Sequence, residues 1–168
     1  INSPIVPARK AKQLVEFGFE NNLDEKAVLK GVFLPSNILE EPGARISYRT
    51  LICIYANIIN SGCSFELRPK SPFNIVEYGI LGYAMMASPT LEHAINIALR
   101  YYRTQGPLFE LTIDKHVAGE SIVRVKDSFN LDQILLTWVI EELFSSIPPL
   151  LRLLVGSPLP IRRIEFSY

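Results

Sequence analysis

The run YGILGYAMMASPTLEHAINIALRYY, Tyr78 to Tyr102, constrains the fold more than any other stretch. It reads as an apolar helix, a break at Ser88-Pro89, and a second helix. Ser88 is suited to accept a hydrogen bond from the otherwise orphaned N–H groups of the next turn. Pro89 is pre-set for the first helical position, where its missing N–H costs nothing. Beyond the break, Leu91, Ala94, Ile95, Ala98 and Leu99 recur on one helical face. Two apolar helices meeting at a capped corner wall off either a buried core or a small-molecule pocket.

The same helical period predicts three further helical regions. Pro7 opens a first helix with Ala11, Leu14 and Val15 on one face, ending near Gly18. A short helix spans residues 24–30 and stops at Gly31, a common C-terminal cap. After the turn-rich LPSNILEEPG loop, Ser47 starts an apolar helix to Ser61, with Leu51, Ile52, Tyr55, Ile58 and Ile59 expected to be buried. Pro69 and Pro72 make residues 67–73 extended or irregular.

Past residue 107 the period falls from about 3.6 to 2. Leu108, Glu110, Thr112 and Asp114 alternate with Phe109, Leu111 and Ile113, and residues 122–126 alternate again. This predicts an antiparallel hairpin turning near Gly119. Residues 131–147 return to helical spacing through Ile134, Leu135, Trp138 and Val139. Pro148-Pro149 are expected to break that helix, leaving a shorter one to Leu154 that ends at Gly156. Ile161, Ile164 and Phe166 read as a closing strand. The order predicts an α+β fold, helices packed on a mostly antiparallel sheet in a single domain spanning residues 1–168.

Composition narrows the function. Apolar residues make up 48% and charged residues 20%, the balance of a folded globular chain. Lys plus Arg equals Asp plus Glu at 17 each, so no basic excess exists to grip phosphates. The short basic runs Arg9-Lys10-Lys12 and Arg162-Arg163 read as solvated faces. INSPIVPARK has no apolar core of a signal peptide, and no stretch reaches roughly 18 to 20 uninterrupted apolar residues. The expected compartment is the cytoplasm, with no membrane partner. Cys53, mid-helix, reads as a small core residue and Cys63, after Gly62, as partly exposed; two cysteines make no disulfide scaffold. The chain begins at Ile1 and closes on a strand, so both ends read as cut from something longer.

Catalytic chemistry finds little footing. His93 and His116 lack a His, Cys or carboxylate at metal-ligand spacing, so no metal site is expected; His93 reads as a surface or half-buried helix residue. No GxSxG, P-loop or GxGxxG occurs. Adjacent Glu141 and Glu142 point about 100° apart on a helix and cannot share a proton. The chain is expected to have no catalytic residues and no cofactor. Arg100 and Arg103 could receive a carboxylate or phosphate, or be solvated. Tyr78, Tyr83, Tyr101, Tyr102 and Trp138, with Met85 and Met86, are expected to pack together. They form a core, or tyrosine hydroxyls and the indole N–H supply polar points in an apolar cavity. On the second reading, Tyr83, Met86, Tyr102 and Trp138 are the candidate ligand-binding residues.

The segment GILGYAMMASPTLEHAINIALRYYRTQGPLFEL resembles the N-terminal sensor region of a group within the AraC/XylS family of bacterial transcription regulators. The residues that carry it are Gly79, Leu81, Gly82, Tyr83, Ala84, Ser88, Pro89, Thr90, Leu91, Ala94, Arg100 and Tyr101. Leu34-Pro35, the Phe65 to Leu67 run and the Pro160-Ile161 to Phe166 ending fit the surrounding pattern. The chain departs from it at Ala87, where Ser is more usual, and at Met85-Met86, where Leu is common. The resemblance implies a domain that binds a small effector and can form a homodimer. DNA would be contacted only through two helix-turn-helix units beyond Tyr168. The family's arabinose label does not by itself imply a sugar, and the uncharged interior suits an apolar or amphipathic molecule. A ligand-free dimerisation module, with an exposed apolar face on residues 135–144 or 150–154, is the alternative.

Overall fold

The computed structural model describes residues 1–35, 37–63, 75–115, 121–158 and 163–165. The fold is α+β: six helices and two two-stranded antiparallel sheets among the described residues. Two compact units share the chain, Ile1–Ser64 with Arg103–Leu108, and Phe65–Tyr102 with Phe109–Tyr168.

In the first unit, β1 (Pro4–Pro7) pairs antiparallel with β2 (Arg45–Ser47). These strands of four and three residues are too short to show a period, so the sequence pattern passes over them. The first helix, α1 (Ala8–Glu20), buries Ala8, Ala11, Leu14, Val15 and Gly18, the expected face, and runs two residues past Gly18. The second, α2, covers only Glu25–Val28, capped by the Asp24 carboxylate accepting from Ala27 N–H at 2.7 Å. It stops short of Lys30 because the Asn57 amide, reaching from the next helix, donates to the Val28 and Lys30 carbonyls, 2.9 Å to each. Lys12 donates to Glu40 at 2.6 Å, and that hydrogen bond raises the exposed ammonium above its usual 10.5.

The third helix, α3 (Tyr48–Asn60), starts at Ser47 as expected, the Ser47 hydroxyl accepting from Thr50 N–H. Leu51, Ile54, Tyr55 and Ile58 are its buried face. Ile52 and Ile59 are half-buried, because the true stripe passes through Ile54. Cys53 corrects the sequence reading: it is exposed, about 200° around the helix from Leu51, and is not a core residue. Cys63 is partly exposed, as expected. Residues 67–73 lie outside the described residues.

In the second unit, a 3-10 turn (Ile75–Tyr78) leads into α4 (Ile80–Met86) and α5 (Leu91–Tyr101). The helix-break-helix reading holds, but the cap moves. Thr90, not Ser88, caps α5, its hydroxyl oxygen accepting from His93 N–H at 3.1 Å. Ser88 instead donates to the Ala84 carbonyl at 2.9 Å and so finishes α4. The two glycines flanking Leu81 have separate reasons. Gly79 holds φ 56°, ψ −134° at the N-cap of α4, a conformation an L side chain rarely adopts. Gly82 lets α4 lie against the Ile75 carbonyl: a Cβ there would be 2.2 Å from that oxygen.

The hairpin is β3 (Phe109–Lys115) against β4 (Ser121–Asp127), in register from Phe109–Asp127 to Lys115–Ser121. Phe109, Leu111 and Ile113 are half-buried and Glu110, Thr112 and Asp114 exposed, the predicted alternation. Leu108 falls outside the strand and is buried in the first unit. The turn near Gly119 lies outside the described residues.

The last helix departs most from expectation. α6 is continuous from Gln133 to Val155, with Pro148 and Pro149 inside it, and ends at Gly156 in the left-handed region. Proline's fixed φ is itself helical, but each ring removes a donor and crowds the preceding turn, a cost this helix bears without ending. Ser145 and Ser146 hydroxyls donate back to the Glu142 and Leu143 carbonyls at 2.7 Å just ahead of the prolines, bonding that bends helices. Leu135, Trp138 and Val139 are buried. Over its apolar stretch, however, only 17% is buried, and by length and composition α6 could cross a membrane. Glu141 and Glu142 sit at its middle, where carboxylates in hydrocarbon are costly. Arg163–Glu165 has no regular structure, so Ile164 is not in the expected strand; Ile161 and Phe166 lie outside the described residues.

Candidate functional site

The corner between α4 and α5 faces the last turn of α6 across a cleft of about 220 Å³. One wall is Met85 and Met86 at the end of α4, followed by Ser88, Pro89 and Thr90. Leu91 and Ala94 of α5 extend it, and Leu153, Leu154 and Val155 of α6 stand opposite. Met85, Ala94 and Leu81 form a small buried cluster beneath, against which Leu150 and Leu154 pack. Local chemistry sets this geometry. The Ser88 back-bond and the Thr90 cap turn the chain sharply, and the αL glycine Gly156 ends α6 where Leu153–Val155 reach the cleft.

Among the described residues, no ionisable side chain lines the cleft. Its polar points are the Ser88 and Thr90 hydroxyls, with His93 Nδ1 3.1 Å from Ser88 Oγ on the exposed side. Among the described residues, no three of His, Cys, Asp and Glu gather where they could hold a metal ion.

Of the four residues singled out from sequence, Met86 lines the cleft. It is 53% exposed, at the rim, whereas Met85 is 4% exposed, at the base. Tyr83 is 59% exposed and shares the outer face of α4 with Ile80 and Met86, spaced by three. Trp138 is buried within α6. Tyr102 is half-buried, and its hydroxyl clasps β3, accepting from Leu111 N–H at 2.8 Å and donating to the Phe109 carbonyl at 3.4 Å. Tyr101 is exposed, with Arg100 5.5 Å over its ring. Arg103 is exposed, and His116 lies outside the described residues. Leu153, Leu154 and Val155 escaped sequence reasoning because the double proline was read as a break that put them on a separate short helix. The signal that could have found them is Gly156, which marks the end of an uninterrupted helix.

The fold is α+β, and the cleft at the α4–α5 corner is lined by apolar and hydroxyl side chains. Residues 23–168 match the family described as the arabinose-binding domain of AraC transcription regulators, N-terminal. The chain belongs to that family. It is also 27% identical over 166 residues to the "Ornithine utilization regulator" of Pseudomonas aeruginosa, covering 98% of this chain and 48% of the relative. The chain thus spans about half the length of the curated relative it matches. The family's description names a domain of transcription regulators, and the relative's name is that of a regulator.

Proposed function

We propose that this domain is the sensor of a bacterial transcription regulator working in the cytoplasm. It binds a small effector, and occupancy controls a DNA-binding part carried elsewhere in the same polypeptide. Family membership over residues 23–168 is the observation that supports this most strongly. The balanced charge, 17 basic against 17 acidic residues, fits a domain that leaves DNA contact to another part. Effector binding would act by population shift, stabilising one arrangement of α4, α5 and α6 over others.

The test is a metabolite screen by thermal shift on the full chain, then promoter-binding measurements on the full-length regulator. A metabolite that raises the melting temperature should also change promoter affinity or reporter output. A regulator whose promoter binding ignores every stabilising metabolite would remove the sensor reading.

A second reading, a dimerisation module without a ligand, is favoured by the exposure of α6, of which only 17% of the apolar stretch is buried. Sedimentation separates the two. A dimer of unchanged strength with and without the stabilising metabolite supports the module; one whose association constant shifts supports the sensor.

A further inference from the structure

We propose that the cleft between α4, α5 and the last turn of α6 is the effector site, and that its ligand is a small neutral amphiphile. By this we mean an apolar body carrying one hydrogen-bond-accepting oxygen. The inference rests on the sensor reading above and assigns that reading a place and a ligand class.

Chemistry selects the class. The walls are mostly apolar, Met85, Leu91, Ala94 and Leu154 among them, and among the described residues no carboxylate, ammonium or guanidinium lines the space. An ionised ligand seated against these walls would lose part of its water and, among the described residues, meet no counter-charge. That argues against a diamino acid such as ornithine, which the relative's name carries. A sugar presents several hydroxyls, and the cleft answers with two.

Hydrogen-bond accounting then narrows the polar end. The Ser88 O–H already goes to the Ala84 carbonyl at 2.9 Å, and its oxygen stands 3.1 Å from His93 Nδ1. Thr90 Oγ1 accepts from His93 N–H at 3.1 Å, which leaves its O–H to be donated. One donor calls for one acceptor: an alcohol, ketone or ether oxygen. The volume of about 220 Å³ is below the roughly 300–1,000 Å³ of drug-sized sites, so the body is a single ring or a short aliphatic chain. Met85 at the base and Met86 at the rim adapt to either shape. A molecule seated there touches Leu153 and Leu154 and so ties the α4–α5 corner to the end of α6.

The chain contains two methionines, and both line the cleft. Methionine-methyl ¹³C NMR on the full chain is therefore a direct readout. Benzyl alcohol should move both methyl signals saturably, while L-ornithine and L-arabinose leave them in place. Leu153 is 46% exposed, so L153E leaves the core untouched. It should weaken the benzyl alcohol response about tenfold or more by placing a carboxylate at the mouth. Signals unmoved by benzyl alcohol, a saturable response to ornithine or arabinose, or an unchanged affinity in L153E would each overturn the assignment. Promoter binding separates this from the wider reading. An effector that changes promoter affinity without moving the methyls sinks the cleft and keeps the sensor. Methyls that saturate while promoter affinity ignores every stabilising metabolite keep the cleft as a binding site and sink the sensor.

Discussion

Gly82→Ala should destabilise the second unit although alanine is the better helix former. A Cβ at position 82 would sit 2.2 Å from the Ile75 carbonyl oxygen and 3.0 Å from Ile75 Cγ1. Ordinary carbon–oxygen contacts lie near ~3.3–3.6 Å, so about 1 Å of separation must be found. The nearest atom is backbone, so no side-chain rotation relieves it; α4 must shift away from the Ile75–Tyr78 turn. Overpacking of this kind costs about 1–3 kcal/mol, and a rigid neighbour puts it at the upper end. Alanine's propensity returns about 1 kcal/mol. The net loss is about 2 kcal/mol, a fall of roughly 4–8 °C in Tm for a chain of this size. Urea unfolding followed by the fluorescence of Trp138, the single tryptophan, reads the unit that holds Gly82. A Gly82→Ala protein as stable as the parent would refute the close-approach argument.

Thr90→Ala should cost about 1 kcal/mol by urea melt and Ser88→Ala clearly less, since Thr90 holds the α5 cap; the reverse order would return the cap to Ser88. Tyr102→Phe removes the acceptor of Leu111 N–H and should cost about 1–2 kcal/mol, with faster amide exchange at Leu111 by NMR; unchanged exchange would mean the clasp is idle. Trp138→Ala should lose about 3–5 kcal/mol in chemical denaturation, as expected of a residue 6% exposed in a packed helix; a loss near zero would remove Trp138 from the core.

Much of the local architecture was legible because it is written by neighbours a few residues apart. The α1 face of Ala11, Leu14 and Val15, the Ser47 start of α3, the alternation of Phe109, Leu111 and Ile113 and the Gly156 stop of α6 all follow from that. The candidate site was only partly legible. Met86 came from the apolar helix before the break, but its partners across the cleft lie some 65 residues further on. Tyr83, Tyr102 and Trp138 share the aromatic character that marked them, yet they are placed on an outer helix face, a strand clasp and a helix core.

The sequence by itself determined the helix-break-helix corner, the alternation along the hairpin and the family resemblance. Periodicity, caps and turn formers act over one or two turns and need no distant partner. Tertiary structure alone decided three things. Thr90 rather than Ser88 caps α5, because the Ser88 hydroxyl finds the Ala84 carbonyl first. Cys53 faces outward, because the side of α3 that packs is the one through Ile54. And α6 runs through Pro148 and Pro149 to bring Leu153 to Val155 opposite Met85. At Ser88 a carbonyl four residues away makes the choice; for Cys53 and α6, packing against other elements selects between options that local sequence leaves open.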